Sequence, residues 1–278
     1  MVTPSLKHLP PGFQKIGGRL IHRLTLPGLK PSGPTLIFLH GIASTGSSWL
    51  PLIHALRRRA SRFVIFDLPG HGLSAPADEN FTFETAYAIA RDIVIHEAEP
   101  ESRNILIGNS LGGAFAMKIS LECPDLVTRT ILISPAGAPF PTSARDVLDP
   151  FLPHTLGETK RLLDTIFVRP GFRSHILAPQ VYYTTTRPGF RAFIRSMLAY
   201  DTDEDAPVRR MIFRPQDLAS CRVPVQLIWG KQDHVLPAAM RDFYDTHLPD
   251  ACPRLFPETF GHCPQFEEPA ALAKLMML

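Results

Sequence analysis

Cysteine is scarce in this chain. Its four copies, Cys123, Cys221, Cys252 and Cys263, never stand at a CxxC or CxxH spacing. Such a scatter offers neither a zinc-ligand set nor a disulfide framework, so no metal, reduced thiols and a cytoplasmic setting are expected. Long apolar runs are missing too. Nowhere do about 18 apolar residues follow one another, which argues against a membrane-spanning helix. The opening MVTPSLKHLPPGFQK has no apolar core of signal-peptide length. Charge imbalance is equally small: 29 Lys and Arg against 26 Asp and Glu leave +3. Phosphate binding needs a concentrated basic surface rather than a mild average, so a nucleic-acid partner is not expected. What the chain does have is 45% hydrophobic residues, enough for a large core, and 28 prolines. Proline on that scale ends helices and makes turns, which suits a loop-rich enzyme better than a long helical array.

Short runs of branched apolar residues recur at 35–39, 63–66, 104–107, 129–133 and 225–229. Each reads as a strand buried on both faces. Helical patterns at 48–58, 83–98 and 111–122 alternate with them, which implies a parallel sheet with helices on both sides. The alternation breaks between 139 and 219, where short segments rich in Arg, Pro and aromatics read as helices and turns. The expected organisation is therefore one α/β core made of residues 1–138 and 220–278, with a helical insertion at 139–219 placed to cover a site. The pentapeptide Arg-Pro-Gly-Phe-Arg occurs twice, at 169–173 and 187–191. Two copies are too few for a structural repeat, and each reads as a turn that starts a helix.

Gly108-Asn-Ser110-Leu-Gly112 directly follows the apolar run at 105–107 and opens the helical stretch at Leu111. A serine between strand and helix in a GxSxG turn has the context of a nucleophile elbow. The turn is tight enough to demand small residues two before and two after the serine, and both are glycine. It also puts the serine at a helix N-terminus, where the backbone N–H of Leu111 can face a developing oxyanion. The second such donor is expected from the loop after the strand at 35–39, as the N–H of Ile42. A serine hydroxyl needs a base, and a histidine base needs a carboxylate to fix its tautomer. Asp233, in the loop after the strand at 225–229, fits the acid. His262, between an expected last strand at 254–256 and the terminal helix, fits the base. His40 reads as a structural residue of its loop, and Asp67 with His71 as a tight structural turn. His234 lies too close in sequence to Asp233 to serve as its partner.

These segments, His40-Gly41, Asp67-Leu-Pro-Gly-His-Gly-Leu-Ser74, Gly108-Asn-Ser-Leu-Gly-Gly113, Trp229-Gly-Lys-Gln-Asp233 and Gly261-His-Cys-Pro-Gln-Phe-Glu-Glu-Pro269, stand in the order and spacing of the α/β-hydrolase superfamily. The chain resembles that superfamily along nearly its whole length, most weakly between 139 and 219. The resemblance implies an eight-stranded, mostly parallel core, a cap inserted after the strand ending near Ser134, and no cofactor. Serine at position 110 sets the chain apart from the haloalkane dehalogenases and epoxide hydrolases of this fold, which carry aspartate there. Ser134-Pro-Ala-Gly137 and Ile228-Trp-Gly-Lys-Gln-Asp233 resemble the monoacylglycerol-lipase type. The GNSLGG segment also resembles hydrolases that cleave carbon–carbon bonds of meta-cleavage products.

The expected activity is hydrolysis of a small-molecule ester with an apolar acyl part, through an acyl-enzyme on Ser110. A carbon–carbon hydrolase and a ligand-binding protein without turnover are the alternatives. Between Phe167 and Arg195, Phe167, Phe172, Tyr182, Tyr183, Phe190 and Phe193 interleave with five arginines and no acid. Such a stretch either lines a pocket for an apolar chain with a polar or acidic head, or buries its aromatics in the core and leaves its arginines in water. The second outcome is the ordinary one.

Overall fold

The computed structural model describes residues 11–74, 78, 81–99 and 101–278, so the first ten residues of the N-terminal stretch lie outside the described part. The strands are β1 (Phe13–Ile16), β2 (Arg19–Pro27), β3 (Thr35–Leu39), β4 (Arg62–Phe66), β5 (Asn104–Ser110), β6 (Arg129–Pro135), β7 (Val225–Ile228) and β8 (Arg254–Leu255). They form one eight-stranded sheet in the order β1-β2-β4-β3-β5-β6-β7-β8. The pairs β1/β2 and β2/β4 are antiparallel, and all the others are parallel. The helices of the core are α1 (Leu50–Leu56), α2 (Phe83–Glu97) and α3 (Leu111–Glu122). Between β6 and β7 come α4 (Ala144–Leu148), α5 (Leu156–Ile166), α6 (Gly171–Thr185), α7 (Pro188–Leu198) and α8 (Pro215–Ala219). The chain then closes with α9 (Ala238–His247), α10 (Pro264–Glu267) and α11 (Pro269–Leu275).

Side chains alternate across a strand, so a strand buried on both faces serves two cores. In β3, Leu36 and Phe38 pack with Leu52 of α1 and Leu272 of α11, whereas Ile37 and Leu39 pack with residues of α2 and α3 such as Ile93 and Phe115. The same split runs through β5, with Ile105 and Ile107 on one side and Leu106 on the other. This two-sided burial is why the central strands stand out as unbroken apolar runs. α2 is started by Thr82, whose hydroxyl accepts from the N–H of Thr85 at 3.4 Å, a cap worth about 1 kcal/mol.

Among the described residues no strand interrupts the region between β6 and β7. The duplicated pentapeptide does start helices in both copies: Gly171 is the first residue of α6 and Pro188 the first of α7. Proline's fixed φ and missing N–H cost nothing at a helix start. The β1–β2 hairpin was not among the runs expected as strands. Its residues include Gln14, Lys15, Arg19, His22 and Arg23, they are mostly half-buried, and they lie at the sheet's edge. Apolar content is therefore a poor guide there. The carboxyl ends of β3, β5, β6 and β7 lie along one edge of the sheet, where sites gather in open parallel sheets.

Candidate active site

Strand β5 runs on to Ser110 itself, and α3 begins at the next residue. Ser110 holds φ +56° and ψ −121°, a strained conformation for a residue with a side chain, costing on the order of 1–3 kcal/mol. The surroundings enforce it. A Cβ on Gly108 would lie 2.2 Å from the carbonyl oxygen of Gly112, and one on Gly112 would lie 2.1 Å from that of Leu39. Both glycines of the elbow are thus required by the close approach of backbone. The carbonyl of Ser110 accepts from Ala136 N–H at 2.9 Å, where β6 bulges. A Cβ on Gly41 would sit 3.0 Å from Ser110 Cβ, which places the loop after β3 against the serine. Ile42 of that loop lines the same cavity as Ser110. Leu111 opens α3, where backbone N–H groups have no partner inside the helix.

Asp233 lies past the end of β7, and its side chain is 1% exposed. Its Oδ1 accepts from the N–H groups of Val235 at 2.9 Å and Leu236 at 3.2 Å, while Oδ2 faces His262 Nδ1 at 2.8 Å. Burial by itself pushes the carboxyl up. The facing His262 and the two N–H donors outweigh it and hold Asp233 below the usual carboxylate range. With Asp233 charged, His262 Nδ1 carries the proton and donates it, which leaves Nε2 as the ring's free acceptor. His262 and Ser110 line one cavity of about 160 Å³. Three residues read from separate sequence segments thus converge, whereas His234 is exposed.

Asn109 and Gln265 belong to the site and were not singled out in the sequence. Asn109 is buried beside the serine. Its Nδ2 donates to the carbonyls of Ile133 at 3.1 Å and His262 at 2.9 Å, and its Oδ1 accepts from Gln265 Nε2 at 3.0 Å. The elbow is thereby tied to the histidine loop through backbone and amide, independently of the chemistry. Polar residues inside GNSLGG and CPQ were the only signal available, and nothing in their spacing says that they meet.

The rival histidines are structural. His40 Nε2 accepts from Leu68 N–H at 3.0 Å, and burial lowers its pKa against the pull of Asp67. Asp67 accepts from Gly46 N–H at 2.6 Å and Leu73 N–H at 2.9 Å, pinning the turn as expected. His71 is buried against Phe190 and Phe193 of α7, and its Nε2 has no partner among the described residues. Burial, reinforced by nearby His40, lowers His71 from the ordinary 6.5 to about 3. The unfolded chain takes up this proton below pH 6.5 and the folded chain does not, so stability is lost as pH falls through that window, by about 1.4 kcal/mol per pH unit. We expect the urea midpoint of the wild type to drop between pH 6.5 and 4.5 more steeply than that of His71→Asn. Equal slopes would overturn this assignment.

Of the six aromatics between Phe167 and Arg195, Phe167 alone lines the cavity with Ser110. Phe190 and Phe193 are each 1% exposed in the core, while Phe172 is 78% exposed. The arginines turn away: Arg169 and Arg173 pair with Glu268 and Glu267, Arg187 lies over the Tyr183 ring, and Arg191 donates to the Pro153 carbonyl. Burial in the core thus holds for Phe190 and Phe193 but not for the exposed Phe172 and Tyr183, and among the described residues no arginine or lysine lines the cavity.

A mostly parallel eight-stranded sheet with a strained serine between its central strand and a helix defines the class, the hydrolases of the α/β fold. The chain belongs to the alpha/beta hydrolase family, which it matches over residues 36–275. It is 27% identical over 265 residues to monoacylglycerol lipase abhd6-B of Xenopus laevis, covering 90% of this chain and 75% of that one. It is 26% identical over 287 residues to 2-hydroxymuconate semialdehyde hydrolase of Pseudomonas sp. strain CF600, covering 96% and 94%. A solved structure of 2-hydroxy-6-oxo-6-phenylhexa-2,4-dienoate hydrolase from Rhodococcus sp. strain RHA1 shares the fold, with a TM-score of 0.77, 19% identity and coverage of 95% of each chain. No helix among the described residues is long and apolar enough to cross a membrane.

Proposed function

We propose that the chain is a serine hydrolase of uncharged carboxylic esters. Ser110 is the nucleophile, His262 the general base and acid, and Asp233 the group that holds His262 in the working tautomer. The N–H groups of Ile42 and Leu111 receive the oxyanion, and the helices within 139–219 serve as a cap over the site. The observation that carries this reading is the 2.8 Å Asp233–His262 pair facing one cavity with Ser110. In acylation, Ser110 Oγ attacks the carbonyl carbon as His262 Nε2 takes its proton. The tetrahedral oxyanion collapses, the alcohol leaves with that proton, and water repeats the sequence in reverse to release the acid.

The lining of the cavity favours an ester over a carbon–carbon substrate. Relatives named for dienoates act on molecules that carry a carboxylate. A carboxylate taken into a cavity without a cation loses hydration and gains no ionic partner to offset the loss. Among the described residues, the cavity around Ser110 has no lysine or arginine in its wall. We expect p-nitrophenyl acetate to be turned over with kcat/KM at least a hundredfold above that for 2-hydroxy-6-oxo-6-phenylhexa-2,4-dienoate, followed at 400 nm and by loss of the dienoate chromophore. The reverse preference would replace this reading by carbon–carbon hydrolysis.

A further inference from the structure

Ser110 borders a second chamber of about 50 Å³. Ile42, Ser110 and Phe151 are walls common to both. The two differ in what else they contain. His262 lines only the larger chamber, together with the hydroxyls of Thr45, Ser47 and Ser48. The smaller one holds Leu111, Met197, Met211 and Met240, and apart from Ser110 its wall is apolar. Among the described residues, neither wall contains a lysine, arginine, aspartate or glutamate.

We propose that the small methionine-lined chamber binds the acyl half of the substrate and the larger His262 chamber the alcohol half, so that the substrates are uncharged esters of a short carboxylic acid with a larger alcohol. The assignment rests on the serine-ester reading above and follows from where the proton must go. When the bond between carbonyl carbon and alcohol oxygen breaks, the electron pair leaves with that oxygen, which takes the proton that His262 received from Ser110. Proton transfer needs hydrogen-bond reach, so the alcohol oxygen lies on the His262 side. The remaining carbon substituent then points the other way, past the N–H of Leu111 into the apolar chamber. Water for the second half-reaction enters where the alcohol has left, among the hydroxyls and within reach of the same histidine, while the acyl group stays dry.

Size separates the halves further. At roughly 10–15 Å³ of such space per water-sized group, the small chamber takes about three to five non-hydrogen atoms and the large one about ten to sixteen. Methionine is flexible enough to reshape the small chamber slightly but not to double it.

Octyl acetate and ethyl octanoate test the assignment directly, because they are isomers with the long chain on opposite sides of the ester. Titrated by acid release with the whole protein, octyl acetate is expected to show kcat/KM at least tenfold higher; equal rates or the reverse order overturn the proposal. Met240→Ala, which widens the acyl chamber alone, is expected to shift the ratio at least tenfold toward ethyl octanoate. Should that core variant fail to fold, Leu177→Trp narrows the alcohol chamber alone from half-buried α6 and is expected to lower octyl acetate turnover tenfold relative to ethyl octanoate. A ratio unmoved by the folded variant also overturns it. Cleavage of p-nitrophenyl acetate without cleavage of either isomer counts against the chamber assignment, whereas failure on all three esters counts against the ester reading itself.

Discussion

Ser110→Ala is expected to lower kcat/KM for p-nitrophenyl acetate by about 10⁴- to 10⁶-fold, the range in which loss of a nucleophile leaves only the contribution of binding and oxyanion stabilisation. The substitution is clean for a structural reason. Alanine keeps the Cβ that packs near Gly41 and is held at the same φ of +56°, so the strain of the elbow is neither relieved nor increased. Thermal unfolding should therefore shift by little while activity disappears. Hydroxyl loss is also the whole change, because among the described residues no hydrogen bond from Ser110 Oγ holds other parts of the fold together. A folded variant that keeps more than about a hundredth of wild-type activity would remove Ser110 from its role.

Asp233→Asn should lower kcat at neutral pH by about 10⁴-fold, the size of effect seen where the orienting carboxylate of a serine triad is made an amide. The geometry dictates which way the amide points. Two backbone donors, Val235 N–H and Leu236 N–H, converge on Oδ1, and only the amide oxygen can accept them. The NH₂ group is then left facing His262 Nδ1 across the 2.8 Å contact. Nδ1 must become the acceptor, the proton moves to Nε2, and the ring presents a donor to Ser110 where a base is required. Nitrogen chemical shifts of His262 would report the change of tautomer. A loss of less than tenfold in a folded variant, or an unchanged tautomer, would show that Asp233 does not orient the histidine.

The parts of the fold that could be read from the sequence are those where one physical demand acts alone. β3, β5 and β6 are buried on both faces, and their branched apolar runs follow from that. The elbow is legible because backbone contacts of about 2 Å leave glycine as the sole choice at 108 and 112. Where two demands compete, the pattern blurs. β2 is half-buried along most of its length, with Ile21 alone fully buried, and its arginines and histidine hide the strand. The insertion shows a second kind of limit. Its aromatics and arginines are plain in the sequence, but which face of α6 or α7 meets the cavity depends on how the helices sit. Phe193 turns to the core and Leu177 to the cavity, and composition does not distinguish them. Asn109 is the third kind: its partners are 24, 153 and 156 positions away, and no local rule reaches that far.

The amide of Asn109 also makes the packing of the elbow depend on a stretch of chain far from it in sequence. Three of the four groups on that amide, the carbonyl of His262, the thiol of Cys263 and the amide of Gln265, lie more than 150 positions further along the chain. Of the four partners, the Ile133 carbonyl alone comes from nearby in sequence. The contacts that hold the serine's turn to the histidine loop therefore exist only once these two distant stretches of chain are folded against each other.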